Sequence, residues 1–172
     1  MTRTSKTFIV GLVSILLMGV LVLASTDVRA DTLKWRQSWH STKTESVVPV
    51  GDVPDHLVGV GEGGGVAFFE TGEFATFSST YAVDYTKGSG RHWAFSLYTF
   101  EDGSTFVTRS EGTTTADLGG KISVLKGTFS FIQGSGRFAG IHGSGSYTGK
   151  RFAPLAVGAE AYYDLTGTYT VP

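Results

Sequence analysis

Hydrophobic and polar residues alternate along most of the chain after residue 30. In residues 75–85, aromatic and aliphatic side chains mostly occupy the odd-numbered positions and Thr, Ser and Asp the even-numbered ones. In residues 91–100, Trp93, Phe95 and Leu97 alternate with a more polar set. A period of two is typical of strands with one buried and one solvated face. The alternation predicts strands without showing which set points inward.

Turn-forming residues divide this pattern into short segments. Clusters of Gly, Pro and Asp break the alternation at regular intervals, and Asp102-Gly103 stands between two alternating runs as in a tight hairpin. The glycine cluster at residues 61–65 predicts a further interruption. The predicted strands cover residues 33–48, 56–60, 66–69, 74–85, 91–100, 105–115, 121–132, 143–152 and 159–171.

No segment after residue 30 has the period of an amphipathic helix, so the pattern predicts an all-β fold. Many short strands joined by short turns are typical of a meander that curls on itself. We therefore expect one closed antiparallel β-barrel of about eight strands, calycin-like, following an N-terminal signal helix. Closure removes the exposed strand edges that promote aggregation.

The first thirty residues have the order of a secretory signal. Arg3 and Lys6 precede an uncharged, mostly apolar run over residues 8–24, and Val28-Arg29-Ala30 supplies a cleavage site. The domains are therefore expected to be a signal peptide over residues 1–30 and a barrel over residues 31–172. We expect the protein to be exported, to a periplasmic or extracellular location, without stable membrane insertion after cleavage. An uncleaved anchor is the alternative, since the apolar run is only slightly short of a membrane span.

Charge and composition exclude several classes of function. The signal segment holds three of the 14 basic and one of the 15 acidic residues, so the mature part is mildly acidic. Nucleic acid is not an expected partner, because nothing supplies the basic surface that phosphate binding requires. The chain has no cysteine, which excludes disulfides and a thiol nucleophile. Its four histidines have no metal-ligand spacing, and we expect neither a metal nor a cofactor.

A glycine-rich motif lies at the end of the predicted strand over residues 121–132. Residues 131–145 read Phe-Ile-Gln-Gly-Ser-Gly-Arg-Phe-Ala-Gly-Ile-His-Gly-Ser-Gly. We expect Gly134, Gly136 and Gly140 to take positive φ in a compact connection, with Phe138 tucked beneath it at one end of the barrel. The motif is not a phosphate loop, because the segment after it has the pattern of a strand and not of a helix.

Together with Asp102-Gly103-Ser104-Thr105 and the Gly127-Thr128-Phe129 strand, this motif resembles the allene oxide cyclase and dirigent-like barrel superfamily. The resemblance covers residues 102–152 well and implies an exported bacterial member of that superfamily. It also implies a barrel pocket for a small hydrophobic substrate, and self-association as trimers. No motif aligns with the family's catalytic positions, so the resemblance does not carry an activity over to this chain.

Carboxylates on strands are the candidates for catalysis. Glu70 and Glu111 lie in or next to extended segments, and a carboxyl group in an apolar lumen acts as an acid or base. Arg109 shares a strand face with Glu111, and we interpret it as a ligand-binding residue if that face lines the lumen. If the face meets solvent, which is the usual case for charged strand residues, the two form a surface pair.

The stock of aromatic residues points to a ligand site inside the barrel. In narrow barrels such rings fill the interior, while in wider ones they line a cavity for an apolar or aromatic molecule. The expected ligand-binding side chains, besides Arg109, are Tyr81, Trp93, Tyr98, Phe129 and Tyr147.

Three functions therefore stay open at this point. The first is binding of a small hydrophobic or aromatic molecule in the lumen. The second is a cofactor-independent isomerase or cyclase that uses a luminal carboxylate. The third is a structural or oligomeric interaction module.

Overall fold

The computed structural model describes residues 30–117, 119, 121–156 and 158–172, without the side chains of residues 44 and 45. All of the predicted signal segment except residue 30 lies outside these residues. Within them, no helix has the length and apolar character needed to span a bilayer.

Eight antiparallel strands form a closed barrel, which confirms the predicted fold class. Each strand pairs with its neighbour in sequence, and the first strand pairs with the last to close the sheet. The strands are β1 (Asp31–Pro49), β2 (His56–Phe69), β3 (Phe74–Thr86), β4 (Ser89–Phe100), β5 (Thr105–Ala116), β6 (Ser123–Ser135), β7 (His142–Arg151) and β8 (Glu160–Thr170). A 3₁₀ turn, Gly136–Phe138, connects β6 to β7.

The structure corrects the predicted break at residues 61–65, which lie inside the continuous strand β2. These glycines leave room for rings on neighbouring strands. A side chain at Gly63 would collide with the indole of Trp39, and one at Gly61 would collide with the hydroxyl of Tyr81. The cluster therefore serves close approach by aromatic side chains and not a chain break.

The burial pattern of strand β4 shows which of the two alternating sets of residues faces inward. Ser96, Tyr98 and Phe100 are buried, whereas Trp93, Phe95 and Leu97 are exposed to solvent. The more polar set of the alternation therefore faces the lumen along the first half of β4. Inward positions in this barrel are consequently not all apolar, and their polar groups need partners inside.

One end of the barrel, the closed end, carries the turns after β2, β4 and β6. Phe106 is fully buried there and contacts Phe69, Phe100, Phe131 and Phe138 with ring centroids 5.3–6.4 Å apart. Such a cluster combines a large apolar area with favourable edge and tilted ring geometries. The closed end is therefore solid core.

The glycine-rich motif forms the cover of the closed end. Phe138 packs beneath the turn, as predicted, with its ring 5.1 Å from that of Phe100. Gly136 and Gly140 have positive φ values of 60° and 74°. Gly134 does not, and the expectation for it was wrong: its lack of a side chain instead avoids a collision with the carbonyl of Phe138.

Candidate functional site

The opposite end of the barrel, the open end, contains two connected pockets. The inner cavity, about 80 Å³, lies in the middle of the lumen and is lined by residues of all eight strands except β2. The mouth pocket, about 330 Å³, lies between the turns after β1, β3, β5 and β7. Tyr81, Val83, Tyr85, Arg151 and Leu155 line both, so they mark the neck between the two spaces.

Aromatic and aliphatic side chains form most of the wall of the inner cavity. Its apolar lining includes Trp39, Phe77, Phe129 and Leu165. The indole nitrogen of Trp39 donates to the hydroxyl of Ser79 at 3.0 Å, which fixes the ring across the lumen. A wall of this kind favours a flat or elongated apolar molecule.

A chain of hydrogen bonds runs through the polar part of the cavity. The hydroxyls of Tyr85 and Thr114 are 2.7 Å apart, and Thr114 Oγ1 is 2.9 Å from Nδ1 of His92. Nε2 of His92 lies 2.6 Å from the hydroxyl of Tyr147. Both ring nitrogens of His92 therefore have partners within the barrel, and the imidazole is held in one orientation.

The environment of His92 keeps its ring neutral. Burial is the main cause that lowers the pKa of His92 to about 4, and the positive charge of Arg151 adds to it. Burial also raises the pKa of Tyr147. At neutral pH the pair is an uncharged imidazole beside an uncharged phenol, which is suited to hydrogen bonding more than to proton transfer.

Arg151 is a buried cation at the neck. Its side chain is 3% exposed, Nε donates to the carbonyl of Ala153 at 2.9 Å, and Nη2 donates to Ser123 at 3.3 Å. The guanidinium carbon lies 5.9 Å from the ring centre of Tyr85. Within the described part of the chain, no carboxylate forms an ion pair with it.

Tyr163 completes the polar lining. Its ring packs edge-on against Tyr147, with centroids 5.9 Å apart, and its side chain faces the inner cavity. Burial raises the pKa of Tyr163, while the nearby charge of Arg151 acts in the opposite direction. Its hydroxyl makes no hydrogen bond to any residue that the structure describes.

Four of the residues expected from the sequence meet in this lumen. Tyr81, Phe129 and Tyr147 are buried and line the inner cavity. Tyr98 also lines it, with its hydroxyl donating to Oε1 of Gln37 at 2.7 Å. These positions agree with the expected ligand contacts, whose role stays a prediction.

The other expected residues do not point into the lumen. Glu70 is exposed at the end of β2, 3.6 Å from Nζ of Lys34. Arg109 and Glu111 are exposed on the outer face of β5. Trp93 borders the cavity but is 44% exposed, because its side chain belongs to the outward set of β4. Of the two alternatives for Arg109 and Glu111, the solvent-facing one therefore holds, because the register of β5 turns both side chains outward. The luminal position considered for Glu70 is corrected, because this residue lies in the exposed turn after β2.

Sequence reasoning missed the buried polar core of the site. In the sequence His92 is one of four scattered histidines, and Arg151 is one charged residue among many. A signal for His92 was available in the alternation of β4, where it shares parity with Ser96 and Tyr98. No local signal distinguishes Arg151 from an ordinary charged residue at a strand end. The described residues contain no group of three or more side chains arranged to hold a metal ion.

Comparisons with known proteins add little to this picture. No protein-family model matches the chain, and no curated protein matches it. Among solved structures, it is similar to a pterocarpan synthase dirigent protein, with a TM-score of 0.45 and 13% sequence identity over 90% of this chain and 96% of that one. The fold described above rests on this chain's own strand pairing.

Proposed function

We propose that the protein binds a small hydrophobic or aromatic molecule inside the open half of its barrel. The observation that carries this proposal is the aromatic-lined inner cavity, which continues through the neck into the larger mouth pocket. Solid barrels of this size fill their interior with side chains. A lumen that leaves space at one end only is the form of a ligand pocket.

The polar lining favours binding over acid–base catalysis. None of the carboxylates in the described part of the chain lines the inner cavity. With a pKa of about 4, His92 is protonated in only about one molecule in a thousand at pH 7. A cofactor-independent isomerase or cyclase in this lumen would therefore act by orienting its substrate, without a strong acid or base.

The predicted signal segment adds a location to the proposal. A molecule bound by an exported barrel is met outside the cytoplasm, in the periplasm or the medium. An apolar lumen there would carry or sequester a molecule that dissolves poorly in water.

Isothermal titration calorimetry with 2-naphthylmethanol, a neutral two-ring probe, tests the binding proposal. We expect saturable binding of one molecule per chain. Ala94 lines the inner cavity, so A94F should fill it and weaken binding at least tenfold. Thr99 is exposed on the same strand, so T99F is the matched control and should leave affinity unchanged. Absence of saturable binding to the folded protein, or equal binding by A94F, would refute the proposal.

The outer wall supports self-association as a second candidate function. Trp93, Phe95 and Leu97 are 42–48% exposed and lie in a row on β4. Apolar rows of this kind on a soluble barrel favour contact with another apolar surface. We infer that a second copy of this chain covers them, in line with the expected oligomer. Light scattering after size exclusion should then give a multiple of the monomer mass, and F95S should reduce it; a monomer at all concentrations would contradict the inference.

A further inference from the structure

We propose that the ligand is an apolar molecule bearing one carboxylate, and that Arg151 at the neck and Tyr163 in the adjoining inner cavity bind that carboxylate. This inference rests on the proposed luminal binding and specifies the chemistry of the ligand. Its basis is the juxtaposition, on the paired strands β7 and β8, of the buried guanidinium of Arg151 and the half-buried phenol of Tyr163 in a mainly apolar cavity.

Arg151 carries a buried positive charge. Burying a guanidinium is costly unless an anion compensates it. Its protein partners are one carbonyl and one hydroxyl, both neutral. These partners occupy two of the five N–H groups that an arginine can donate. The remaining donors have no partner among the described residues, so the cation retains both charge and donors for a ligand.

The other titratable groups that line the inner cavity are uncharged. Burial keeps the phenols of Tyr147 and Tyr163 protonated, and His92 is neutral, so no side chain of the described lining offers the compensating negative charge. The lining of the inner cavity therefore presents a single positive charge, that of Arg151. This arrangement selects a monoanion and disfavours a cationic ligand.

Tyr163 supplies a second donor. Its hydroxyl has no protein partner among the described residues and faces the same cavity as Arg151. A guanidinium together with a phenol O–H matches the two oxygens of a carboxylate, and charge-assisted hydrogen bonds of this kind are short and strong. The aromatic wall beyond them would receive the apolar part of the molecule.

The position at the neck sets the orientation of the ligand. Arg151 lines both pockets, whereas Trp39, Phe77 and Phe129 line only the inner one. The carboxylate would therefore lie towards the mouth, with the apolar body directed into the barrel. A ligand that enters with its apolar part first would lose the water around its carboxylate last. At the neck, hydrogen bonds from the guanidinium would replace that water.

The test compares 2-naphthoate with 2-naphthylmethanol, which have nearly the same shape and differ in charge. We expect wild-type protein at pH 7 to bind the carboxylate at least tenfold more tightly by calorimetry. R151M should remove this preference, so that its affinities for the two probes lie within about threefold of each other. Y163F should weaken only carboxylate binding, by about fivefold. R109M, an exposed arginine on the outer face of β5, is the matched control and should keep the full preference.

The outcomes separate this inference from the proposed function. Equal binding of the two probes by wild type, or a preference that survives in R151M, overturns the carboxylate site and leaves luminal binding intact. Binding of neither probe overturns both. The wild-type comparison needs no variant, so the inference can be refuted even if R151M does not fold.

Discussion

The two ends of the barrel each hold an arginine near aromatic rings, but in opposite electrostatic settings. At the closed end, Arg137 is exposed, lies 2.6 Å from Glu73 and 3.7 Å from Asp102, and its guanidinium carbon is 4.7 Å from the centre of the Phe100 ring. At the open end, Arg151 is buried and has no acidic partner in the described part of the chain.

This contrast separates stability from function along the barrel axis. The closed end pairs its charges at the surface and fills its interior with rings, which is the arrangement that favours folding. The open end keeps space and a buried cation, both of which cost stability. Proteins retain destabilising features of this kind, such as empty space and an uncompensated buried charge, where a ligand binds to them.

The largest expected effect tests the role of the closed end. F106A should lower the free energy of unfolding by about 3–5 kcal/mol, because Phe106 is fully buried among rings and its loss leaves a cavity. F68A, on the exposed face of β2, should change it by less than about 1 kcal/mol. Urea titration measures both.

F106A also tests whether the closed end and the open end are independent of each other. Phe106 does not line the inner cavity and reaches it only through Tyr98, whose ring centre is 4.6 Å away and whose hydroxyl is held by Gln37. F106A should therefore bind 2-naphthylmethanol within about threefold of wild type while it stays folded. A loss of binding that parallels the loss of stability would show that the two ends are not separate.

The architecture was accessible from the sequence because its signals are local. Period-two alternation follows from strand geometry, and Asp102-Gly103 forms the predicted turn between β4 and β5, with Gly103 at a φ of 79°. Asp102 accepts hydrogen bonds from the backbone and side chain of Ser104, which explains the choice of residues at this turn.

The site was less accessible because it depends on register between distant strands. Glu111 and His92 are equally plain polar residues in alternating segments, yet register places the first outside and the second inside. Gly63 also depends on a contact between strands that the local sequence does not show. Any side chain at this position would collide with the indole of Trp39 on the neighbouring strand. A period of two in the sequence shows only that the two faces of a strand differ. Closure of the barrel determines which of those faces lines the lumen.

The second prediction concerns acid sensitivity at the open end. Because burial lowers the pKa of His92 from its ordinary value of 6.5 to about 4, the unfolded chain binds more protons than the folded one between these values. Stability should therefore fall as pH drops through this window, by up to about 3 kcal/mol between pH 7 and pH 4.

H92F should lack this contribution, while H142F, at an exposed site, should keep it. Urea titrations at the two pH values give the difference for each variant, which cancels the titration of other groups. If wild type and H92F lose equal stability on acidification, His92 is not held neutral by its environment.

A third, smaller effect on stability is expected from the close contact between Gly63 and Trp39 in the lumen. G63A should cost about 1–3 kcal/mol, because its methyl group would overlap the indole of Trp39 in a strand that cannot move freely. E62A, on the exposed side of the same strand, is the control. The tryptophan emission of the protein, to which Trp39 contributes together with Trp35 and Trp93, should shift in G63A and not in E62A. Unchanged emission with unchanged stability would mean that the ring of Trp39 has space to move.

The smallest expected effect lies at the rim of the open end, where His56 joins two carboxylates. Its Nδ1 is 2.5 Å from Asp52 in the β1–β2 turn, and its Nε2 is 2.8 Å from Asp84 on β3. The hydrogen bond to Asp84, followed by that to Asp52, raises the pKa of His56. The hydrogen bond from His56 is the main cause that lowers the pKa of Asp52.

These shifts define a pH window for the turn. The contribution of His56 is complete below its ordinary pKa of 6.5 and is lost as pH rises through the raised value; that of Asp52 is present above 3.8 and is lost as pH falls through the lowered value. Amide exchange in residues 50–55, corrected for intrinsic rates, should thus be slowest near pH 5.5 and a few-fold faster near pH 8.5. H56Q should remove the difference and H40Q, at an exposed site on β1, should retain it. Equal protection of the turn at both pH values in wild type would show that its conformation does not depend on these ion pairs.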